Sequence, residues 1–429
     1  MTEILAHFFL RRFIMQKVIA LILVSIFMSI SNVEAEEIIK KGELLSIERC
    51  VKIALSNHPD IIAYANTVKA NQSKVGQANA NYYPQIDWSS GYSKSDSVDQ
   101  YTNGITLKQN IFDFGKTSAQ VQIQSLNLDS SRSDLNNVSG QVILNVKQAY
   151  YGVLKAKRNR EVAEESVKQF LQHLAQAKGF YEVGTKPKFD VTKAEVDLSN
   201  SKLNLIKTVN SLRIAVATLN NAIGVPNAPE YDVEDNLFYQ AFGITFEDAI
   251  GTAYKNRPDL ESVILKKQAA ESSIILARKG YYPALTGNAS YNWTGEKFPL
   301  AEGWNVGAAL SFPIFSGFLT RHQVEEARAN LNVLSANEES LRQAVFLDVQ
   351  QSYLNLKDAE ERIPAAELVV RQAEENLELA SGRYAAGVGN PIEVTDAQVS
   401  LSSAKTSYIQ ALYDYRVSQA SLEKAMGAR

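Results

Sequence analysis

Apolar residues recur along this chain at two different spacings, and each spacing predicts one kind of secondary structure. Steps of three and four residues predict long helices over 116–181 and 319–384. Each of these stretches has 66 residues, which would make a helix roughly 100 Å long. A stripe sustained over that length is typical of coiled-coil-like packing more than of a globular core helix. The residues on these steps include Val142, Val146, Ala149 and Val153 in one stretch and Val345, Val349, Tyr353 and Leu356 in the other.

The second spacing is an alternation of apolar and polar residues, which predicts four strands arranged as two pairs. Stretches of about ten residues with this period suit tilted membrane-crossing strands. Two hairpins packed in a soluble core are the alternative. In the first pair the apolar positions are Ile86, Trp88, Tyr92, Ile105, Leu107 and Ile111, with Gln109 as the one misfit. In the second pair they are Leu285, Tyr291, Trp293, Val306, Leu310, Phe312 and Ile314.

A shorter helical pattern stands before each pair of strands. These patterns run over 45–81 and 245–280. Pro59 and Pro258 interrupt them after their first turns, because proline removes a backbone donor and crowds the preceding turn. Each pair of strands is therefore expected to follow a helix that is broken near its start.

Each long helix is followed by a glycine and then by a second helical pattern. Gly184 and Gly387 suit the left-handed residue that ends many helices. Return helices are predicted at 188–222 and 392–426, and Asn390 is a good N-cap for the second. Each long helix and its return helix therefore predict a helical hairpin with a tight tip.

The same order of elements occurs twice because the sequence itself is repeated. The run from Leu45 to Ile61 returns from Ile244 to Leu260, at an offset of 199 residues, and later matches have an offset of 203. A period of about 200 residues is far longer than that of solenoid repeats and indicates a duplicated domain. We therefore predict a domain organisation with a first structural repeat at 36–224, an inter-repeat linker at 225–243 and a second structural repeat at 244–429.

The first 35 residues predict a signal peptide at 1–35. Arg11, Arg12 and Lys17 precede an apolar run over 18–30, and residues 33–35 supply a small-residue cleavage site. The alternative is a transmembrane anchor, but a run of 13 residues is too short to span a bilayer. We therefore expect the mature chain to be exported.

The predicted strands place a condition on any membrane form of the mature chain. No later stretch approaches 18 consecutive apolar residues, so such a form would have to cross the membrane as a β-barrel. The smallest membrane barrels have about eight strands, and an open sheet edge cannot exist in lipid. A chain with four strands must therefore assemble with further copies, and three copies would supply twelve strands.

Charge and candidate chemistry point away from catalysis. The formal net charge of −3, without a block of like charge, gives no sign of a nucleic-acid partner. The single cysteine, Cys50, is expected to be a buried helix residue. The histidines after the signal peptide, His58, His173 and His322, lack metal-ligand spacing, and no nucleophile elbow or phosphate-binding loop occurs. We expect no enzyme, no catalytic residue, no cofactor and no metal site.

Several short motifs resemble those of one known family when they are taken in order. They are Leu45-Ser-Ile-Glu-Arg-Cys50, Asn57-His-Pro59, Tyr83-Pro84, Tyr282-Pro-Ala-Leu285, Phe312-Pro-Ile-Phe-Ser-Gly317 and the tip sequences Tyr181-Glu-Val-Gly-Thr185 and Tyr384-Ala-Ala-Gly-Val388. Over about 40–429 the chain thereby resembles the outer-membrane efflux proteins of the TolC family.

The resemblance implies a fold, a location and partners. The fold would be mainly α with a β-barrel part: a duplicated helix, β-hairpin and long helical hairpin, forming in the trimer an α-barrel tunnel topped by a 12-strand transmembrane β-barrel with four strands per protomer. It would lie in the cell outer membrane, with the helical tunnel projecting into the periplasm, as a passive exit duct in tripartite efflux or type I secretion. The partners implied are a homotrimer, outer-membrane lipid, a periplasmic adaptor (membrane fusion) protein and, through it, an inner-membrane pump of the RND, ABC or MFS type.

The resemblance also implies functions for residues at the hairpin tips. In the family, two acidic residues line the closed periplasmic mouth of the tunnel and form its gate. They correspond to Glu393 and Asp396 in this chain, and three-fold symmetry would make them rings that attract cations. The alternative is that these acidic residues only offset the dipole of their helix. Adaptor docking would fall on Val183, Gly184 and Thr185 in the first tip and on Ala386, Gly387 and Val388 in the second.

Two further family contacts are expected to hold the mouth of the tunnel shut. One joins the tip tyrosine, here Tyr384, to an aspartate of the other hairpin, here Asp190. The other uses an arginine where this chain has Gly389, so that contact is missing and the mouth would be held less tightly. Lys186 and Lys188 make the first tip basic, which would alter adaptor preference.

A second interpretation is a secreted or surface coiled-coil structural protein without channel activity. The long helices are compatible with it. The signal peptide and the four alternating strands argue against it.

Overall fold

The computed structural model describes residues 39–96 and 98–428. The predicted signal peptide at 1–35 lies outside the described residues. The described residues form two compact units, one of 39–44 with Ala228–Asp232 and one of 45–96, 98–227 and 233–428. In the first unit the Gly42 N–H donates to the Glu230 carbonyl at 2.8 Å.

The elements follow one another in the same order twice. The first series is β1 (Leu44–Leu45), α1 (Ile47–Asn57), α2 (Pro59–Asn79), β2 (Gln85–Lys94), β3 (Asp99–Phe112), α3 (Lys116–Glu182) and α4 (Lys188–Ala222). The second is β4 (Asp232–Val233), α5 (Phe246–Asn256), α6 (Pro258–Arg278), β5 (Ala284–Gly295), β6 (Ala301–Ser311), α7 (Leu319–Ala385) and α8 (Pro391–Ala425). The predicted duplication of helix, β-hairpin and long helical hairpin is confirmed.

The four long strands form one antiparallel sheet in the order β2-β3-β5-β6. Residues directly opposite one another in a sheet point to the same side, so the register divides the side chains between two faces. The predicted apolar and polar faces are both present. One row across the apolar face is Ile86, Leu107, Ala289 and Val306, and the adjacent row on the polar face is Gln85, Lys108, Asn288 and Gly307.

The strands depart from a regular alternation at three places. The pairing of β3 with β5 shifts by one residue between Asn110 and Phe112, so Phe112 and not the predicted Ile111 lies opposite Leu285. Gln109 lies on the apolar face near the end of β3, and its side-chain N–H groups donate to the carbonyls of Tyr82 and Asn110, both at 3.0 Å. The alternation continues to Ile314, but β6 ends at Ser311, since Pro313 has no N–H to donate to a strand. A local polar contact explains the position of Gln109, and a proline explains the end of β6.

The return helices end against the proline breaks of the shorter helices. Gly224 follows α4 with φ +76°, and a Cβ there would lie 3.1 Å from the Asn57 carbonyl oxygen. Gly427 follows α8 with φ +75°, and a Cβ there would lie 2.7 Å from the Asn256 carbonyl oxygen. Only glycine combines this backbone conformation with so close an approach. The repeated glycine is therefore a packing requirement of each repeat.

The long helices bury the apolar stripes that the sequence indicates. Val146 and Val349 are fully buried, as is Leu356 two steps further along α7, whereas Tyr353 between them is half-buried. Helix α3 packs against α2, α4, α6 and α8, and α7 packs against α6 and α8. Cys50 is buried in α1, as predicted. Within the described residues, no helix is both long and apolar enough to cross a membrane.

Candidate functional site

The two hairpin tips have closely similar backbones. Gly184 and Gly387 both have positive φ, +73° and +79°, so the predicted left-handed caps are confirmed. In the first tip the N–H of Thr185 donates to the Phe180 carbonyl at 3.0 Å, and in the second the N–H of Val388 donates to the Arg383 carbonyl at 3.1 Å. The six residues at which the sequence predicts adaptor docking are exposed on these tips: Val183, Gly184, Thr185, Ala386, Gly387 and Val388.

The two predicted gate acids lie on the first turns of α8. Asn390 caps this helix by accepting the Ile392 N–H at 2.9 Å, which fixes where the helix starts. Glu393 and Asp396 are both exposed. The carboxylate of Glu393 lies 3.5 Å from Nε of Arg383 across the tip, and both side chains of this pair are largely exposed. An exposed pair of this kind contributes little stability, so both carboxylates remain available to solvent.

Tyr384 and Asp190 are both buried where the two hairpins meet. The Tyr384 ring packs edge-on against Phe180 with centroids 5.5 Å apart and lies 5.0 Å from the ring of His173. Burial, followed by the negative charge of Asp190, raises the pKa of Tyr384. The Tyr384 hydroxyl has no hydrogen-bond partner among the described residues. The structure therefore brings the predicted pair into the same buried region without a direct hydrogen bond between the side chains.

Gly389 lies in a turn that has no room for a side chain. Its N–H donates to the Arg383 carbonyl at 2.9 Å, and the residue is buried. A Cβ at this position would lie 2.6 Å from the Tyr384 backbone nitrogen. The arginine expected from the family cannot be placed here without moving the backbone.

A second polar contact joins the second turn of α8 to the third turn of α4. The Thr395 hydroxyl of α8 donates to a carboxylate oxygen of Asp197 in α4 at 2.9 Å. Lys193, one turn away on α4, donates to both oxygens of the same carboxylate at 2.6 and 2.7 Å. Asp197 and Thr395 are both buried. The carboxylate is therefore fixed by a lysine of its own helix and by a threonine of the other hairpin.

His173 lies on α3 beside this contact and is buried. Burial lowers the pKa of His173, and the charges of Asp197 and Asp190 oppose that effect. Its Nδ1 has no hydrogen-bond partner among the described residues. The neutral imidazole is thus favoured as long as the hairpins remain packed. No group of three or more His, Cys, Asp or Glu side chains within the described residues is arranged to hold a metal ion.

No sequence motif marks this part of the site. His173 lacks metal-ligand spacing, and Lys193, Asp197 and Thr395 belong to no motif. A signal was available in the repeat, because Thr395 aligns with Thr192 at an offset of 203. The alignment alone does not show that the hydroxyl of Thr395 bonds to the other hairpin.

Comparison with known proteins identifies the family. The fold with its hairpin tips is that of an outer-membrane channel subunit. A family model described as outer membrane efflux protein matches residues 50–225 and 249–428. The chain belongs to this family.

Individual relatives and solved structures agree with this assignment. TolC of Escherichia coli K12 is 25% identical over 403 residues, covering 87% of this chain and 80% of TolC. The probable efflux pump outer membrane protein TtgC of Pseudomonas putida is 21% identical over 410 residues, covering 89% of this chain and 83% of TtgC. A crystal structure of CusC, 18% identical, superimposes with a TM-score of 0.78 over 89% of this chain and 92% of CusC.

The chain is an outer-membrane channel protein for efflux or secretion. The predicted function and location are therefore confirmed, and the alternative of a coiled-coil structural protein is not supported. Its relatives are channel proteins rather than enzymes.

Proposed function

We propose that three copies of this chain assemble into one passive exit duct. The observation that carries the proposal is the sheet, in which β2 and β6 each have a single hydrogen-bonded neighbour within the part of the chain that the structure describes. Open strand edges are not tolerated in lipid. Pairing β6 of one copy with β2 of the next would join three times four, or twelve, strands into a closed barrel.

The exposed apolar face of the sheet supports contact with outer-membrane lipid. Trp88, Trp304, Val306 and Leu310 lie on this face and are each at least two-thirds exposed. An apolar face of this extent requires an apolar partner. The polar face, with Lys108, would line the lumen.

The long helical hairpins support a tunnel that extends into the periplasm. Helices α3 and α7 each have 67 residues, or roughly 100 Å at the helical rise per residue. In a trimer the exposed carboxylates of Glu393 and Asp396 would form acidic rings at the mouth. Such rings would raise the local concentration of cations.

The exposed tips support docking of a periplasmic adaptor (membrane fusion) protein, which would connect the duct to an inner-membrane pump of the RND, ABC or MFS type. Val183 and Val388 project from the two tips with 72% and 73% of their surface exposed. Lys188 adds an exposed positive charge next to the first tip. The two docking positions in each protomer therefore differ in charge, which favours adaptor hairpins that carry acidic residues at the first tip.

Planar-bilayer recordings test the duct and its mouth. The change is Glu393→Gln combined with Asp396→Asn, and we expect a lower ratio of cation to anion permeability because the rings lose their charge. Glu339→Gln, at an exposed position of α7 far along the chain from the tips, is the control for loss of an acidic residue. An unchanged ratio in the double variant would contradict the gate assignment. A purified native complex whose mass is not that of three chains would contradict the trimer.

A further inference from the structure

We propose that a basic collar binds anions in the lumen of the duct, where the sheet meets the helices. The basic collar consists of Lys74 in α2, Lys108 in β3 and Lys116 at the start of α3. It rests on the function proposed above, because the polar face of the sheet lines a lumen only in the assembled duct. It adds a class of cargo to that function, namely small organic anions with carboxylate or phosphate groups.

Two adjoining grooves bring the three lysines to the same side of the sheet. The first groove has a volume of about 730 Å³ and is lined by Lys74 and Lys116. The second, of about 580 Å³, follows the sheet and is lined by Lys108, which the register places on the polar face. Asn81 and Asn110 line both grooves. The two grooves are therefore continuous, and the collar spans the junction between the helices and the sheet.

The lysines of the basic collar keep their charges available for a ligand. All three are exposed, and none of them forms an ion pair with another of the described residues. Within the same part of the chain, Asp113 is the one acidic residue that lines either groove, and its carboxylate already accepts the N–H groups of residues 115–117 at 2.8–3.1 Å. Asp87 lies on the polar face but lines neither groove.

The charge balance of the grooves favours anions. Three lysines against one aspartate leave the two grooves of each protomer with a net charge of +2. Rings of lysine or arginine select anions and phosphates in pores. A cleft lined by one sign of charge also raises the local concentration of ions of the opposite sign. A three-fold set of these grooves would therefore hold anions at the base of the barrel.

The other residues of the first groove suit an organic oxyanion. Four side-chain amides can donate N–H groups to carboxylate or phosphate oxygens beside the lysines. Leu276 of α6 supplies an apolar surface for the body of such a molecule. The four amides belong to Gln77, Asn81, Gln120 and Gln124.

The repeat indicates that the fold does not require these lysines. The aligned residues of the second repeat are uncharged: Ser273 at an offset of 199, and Ser311 and Leu319 at an offset of 203. The second repeat nevertheless forms the same series of helices and strands. The first repeat alone thus contributes the basic collar, which favours a function in binding over one in folding.

Planar-bilayer recordings of the purified full-length protein in potassium chloride test the basic collar, with citrate and inorganic phosphate as probes. Each probe, added on the barrel side, should reduce the wild-type current. Lys74→Met combined with Lys116→Met should raise the half-blocking citrate concentration about tenfold, and Lys108→Met should raise it about threefold. Lys74→Arg combined with Lys116→Arg keeps the charges and should keep the block. Lys69→Met is the control, since Lys69 is an exposed residue of α2 that lines neither groove.

The outcomes separate the basic collar from the duct on which it rests. Block by both probes supports a site for oxyanions in general, and block by one alone identifies the group that is bound. A wild-type trimer that conducts without block overturns the collar and leaves the duct standing, as does equal block in the wild type and the methionine variants. An equal loss of block in Lys69→Met would show a general effect of charge and would overturn it too. A protein that neither forms trimers on native electrophoresis nor conducts would overturn the duct and the collar together.

Discussion

Residue 389 is a glycine because its immediate surroundings leave no room for a side chain. The turn after α7 brings its Cα so close to the backbone of Tyr384 that a Cβ would lie 2.6 Å from a nitrogen. Such a contact cannot be relieved by turning a flexible side chain, because the neighbouring atom belongs to the backbone. The tip that carries Val388 therefore depends on one glycine that is not in the left-handed conformation.

We predict that Gly389→Ala disturbs the second tip. Overpacking of this kind costs roughly 1–3 kcal/mol, so the tip should adopt a different turn. Hydrogen exchange of the backbone amides over 383–391 should become faster. Gly382→Ala is the control, since no atom lies within 4 Å of a Cβ built there, and Gly→Ala inside a helix stabilises by roughly 0.5–1 kcal/mol. Equal exchange in the two variants would show that the turn can accept a side chain.

We predict that acid favours opening through His173. Its pKa is lowered by burial despite Asp190 and Asp197, so the packed hairpins bind fewer protons than a state in which the ring meets water. Stability of the packed state therefore falls as the pH drops below about 6.5, the ordinary histidine value, and is fully present above it. Conductance at about pH 5.5 and 7.5 checks this within the histidine range.

His173→Gln should flatten that dependence, because glutamine does not titrate. His322→Gln is the control, as its ring is exposed on α7. Lys193, on the adjacent α4, bears a charge that disfavours protonation of His173. A wild-type pH response that persists unchanged in His173→Gln would show that the effect does not arise from His173.

At the scale of elements, the two repeats differ at their proline breaks. In the first repeat His58 caps α2 by accepting the Asp60 N–H at 3.2 Å. In the second repeat Arg257 occupies the corresponding position and is buried. Its guanidinium contacts Asp259 at 2.7 Å and Asp348 of α7 at 2.6 Å, and donates to the Ala425 carbonyl at 3.2 Å. One side chain thus joins α6, α7 and the end of α8.

We predict that Arg257→Met lowers the stability of the purified protein by about 2 kcal/mol. The loss is below the 3–5 kcal/mol of a fully buried pair, because the Asp348 side chain is 40% exposed. The midpoint of denaturation in detergent measures the change. Arg132→Met removes an exposed ion pair to Asp129 and should change stability by less than about 0.5 kcal/mol. Equal effects of the two substitutions would mean that Arg257 contributes no more than a surface charge.

The elements were predictable where a local pattern decides them. The α4 bounds and the start of α3 agree with the sequence, because Gly115 precedes α3 and because Pro187 and Gly224 flank α4. The two faces of the sheet follow from a period of two. What the sequence could not show is contact between distant segments, such as Thr395 with Asp197, 198 residues apart. No sequence pattern around the Thr395 hydroxyl or the Asp197 carboxylate identifies its hydrogen-bond partner.

At the scale of the whole molecule, the sheet has two faces whose surroundings are expected to differ. Two adjacent residues of one strand point to opposite faces of the sheet. Val306 is central in β6 (Ala301–Ser311) and lies on the apolar face, while Asn305 lies on the polar face opposite Ser290. A trimer in the outer membrane would place the first against lipid and the second in the lumen. The same substitution at the two positions therefore reports on assembly and on conduction separately.

We predict that Val306→Lys reduces the amount of trimer in the outer membrane. A lysine facing lipid near the middle of a bilayer costs about 2–4 kcal/mol, and three copies multiply that cost. Asn305→Lys should leave the amount of trimer unchanged, because a charge in a water-filled lumen remains hydrated, and should lower the cation preference of the channel. Membrane fractionation with native electrophoresis measures the first result, and bilayer recording measures the second. If Asn305→Lys abolishes assembly while Val306→Lys is tolerated, the faces are reversed and the sheet closes with its apolar side inward.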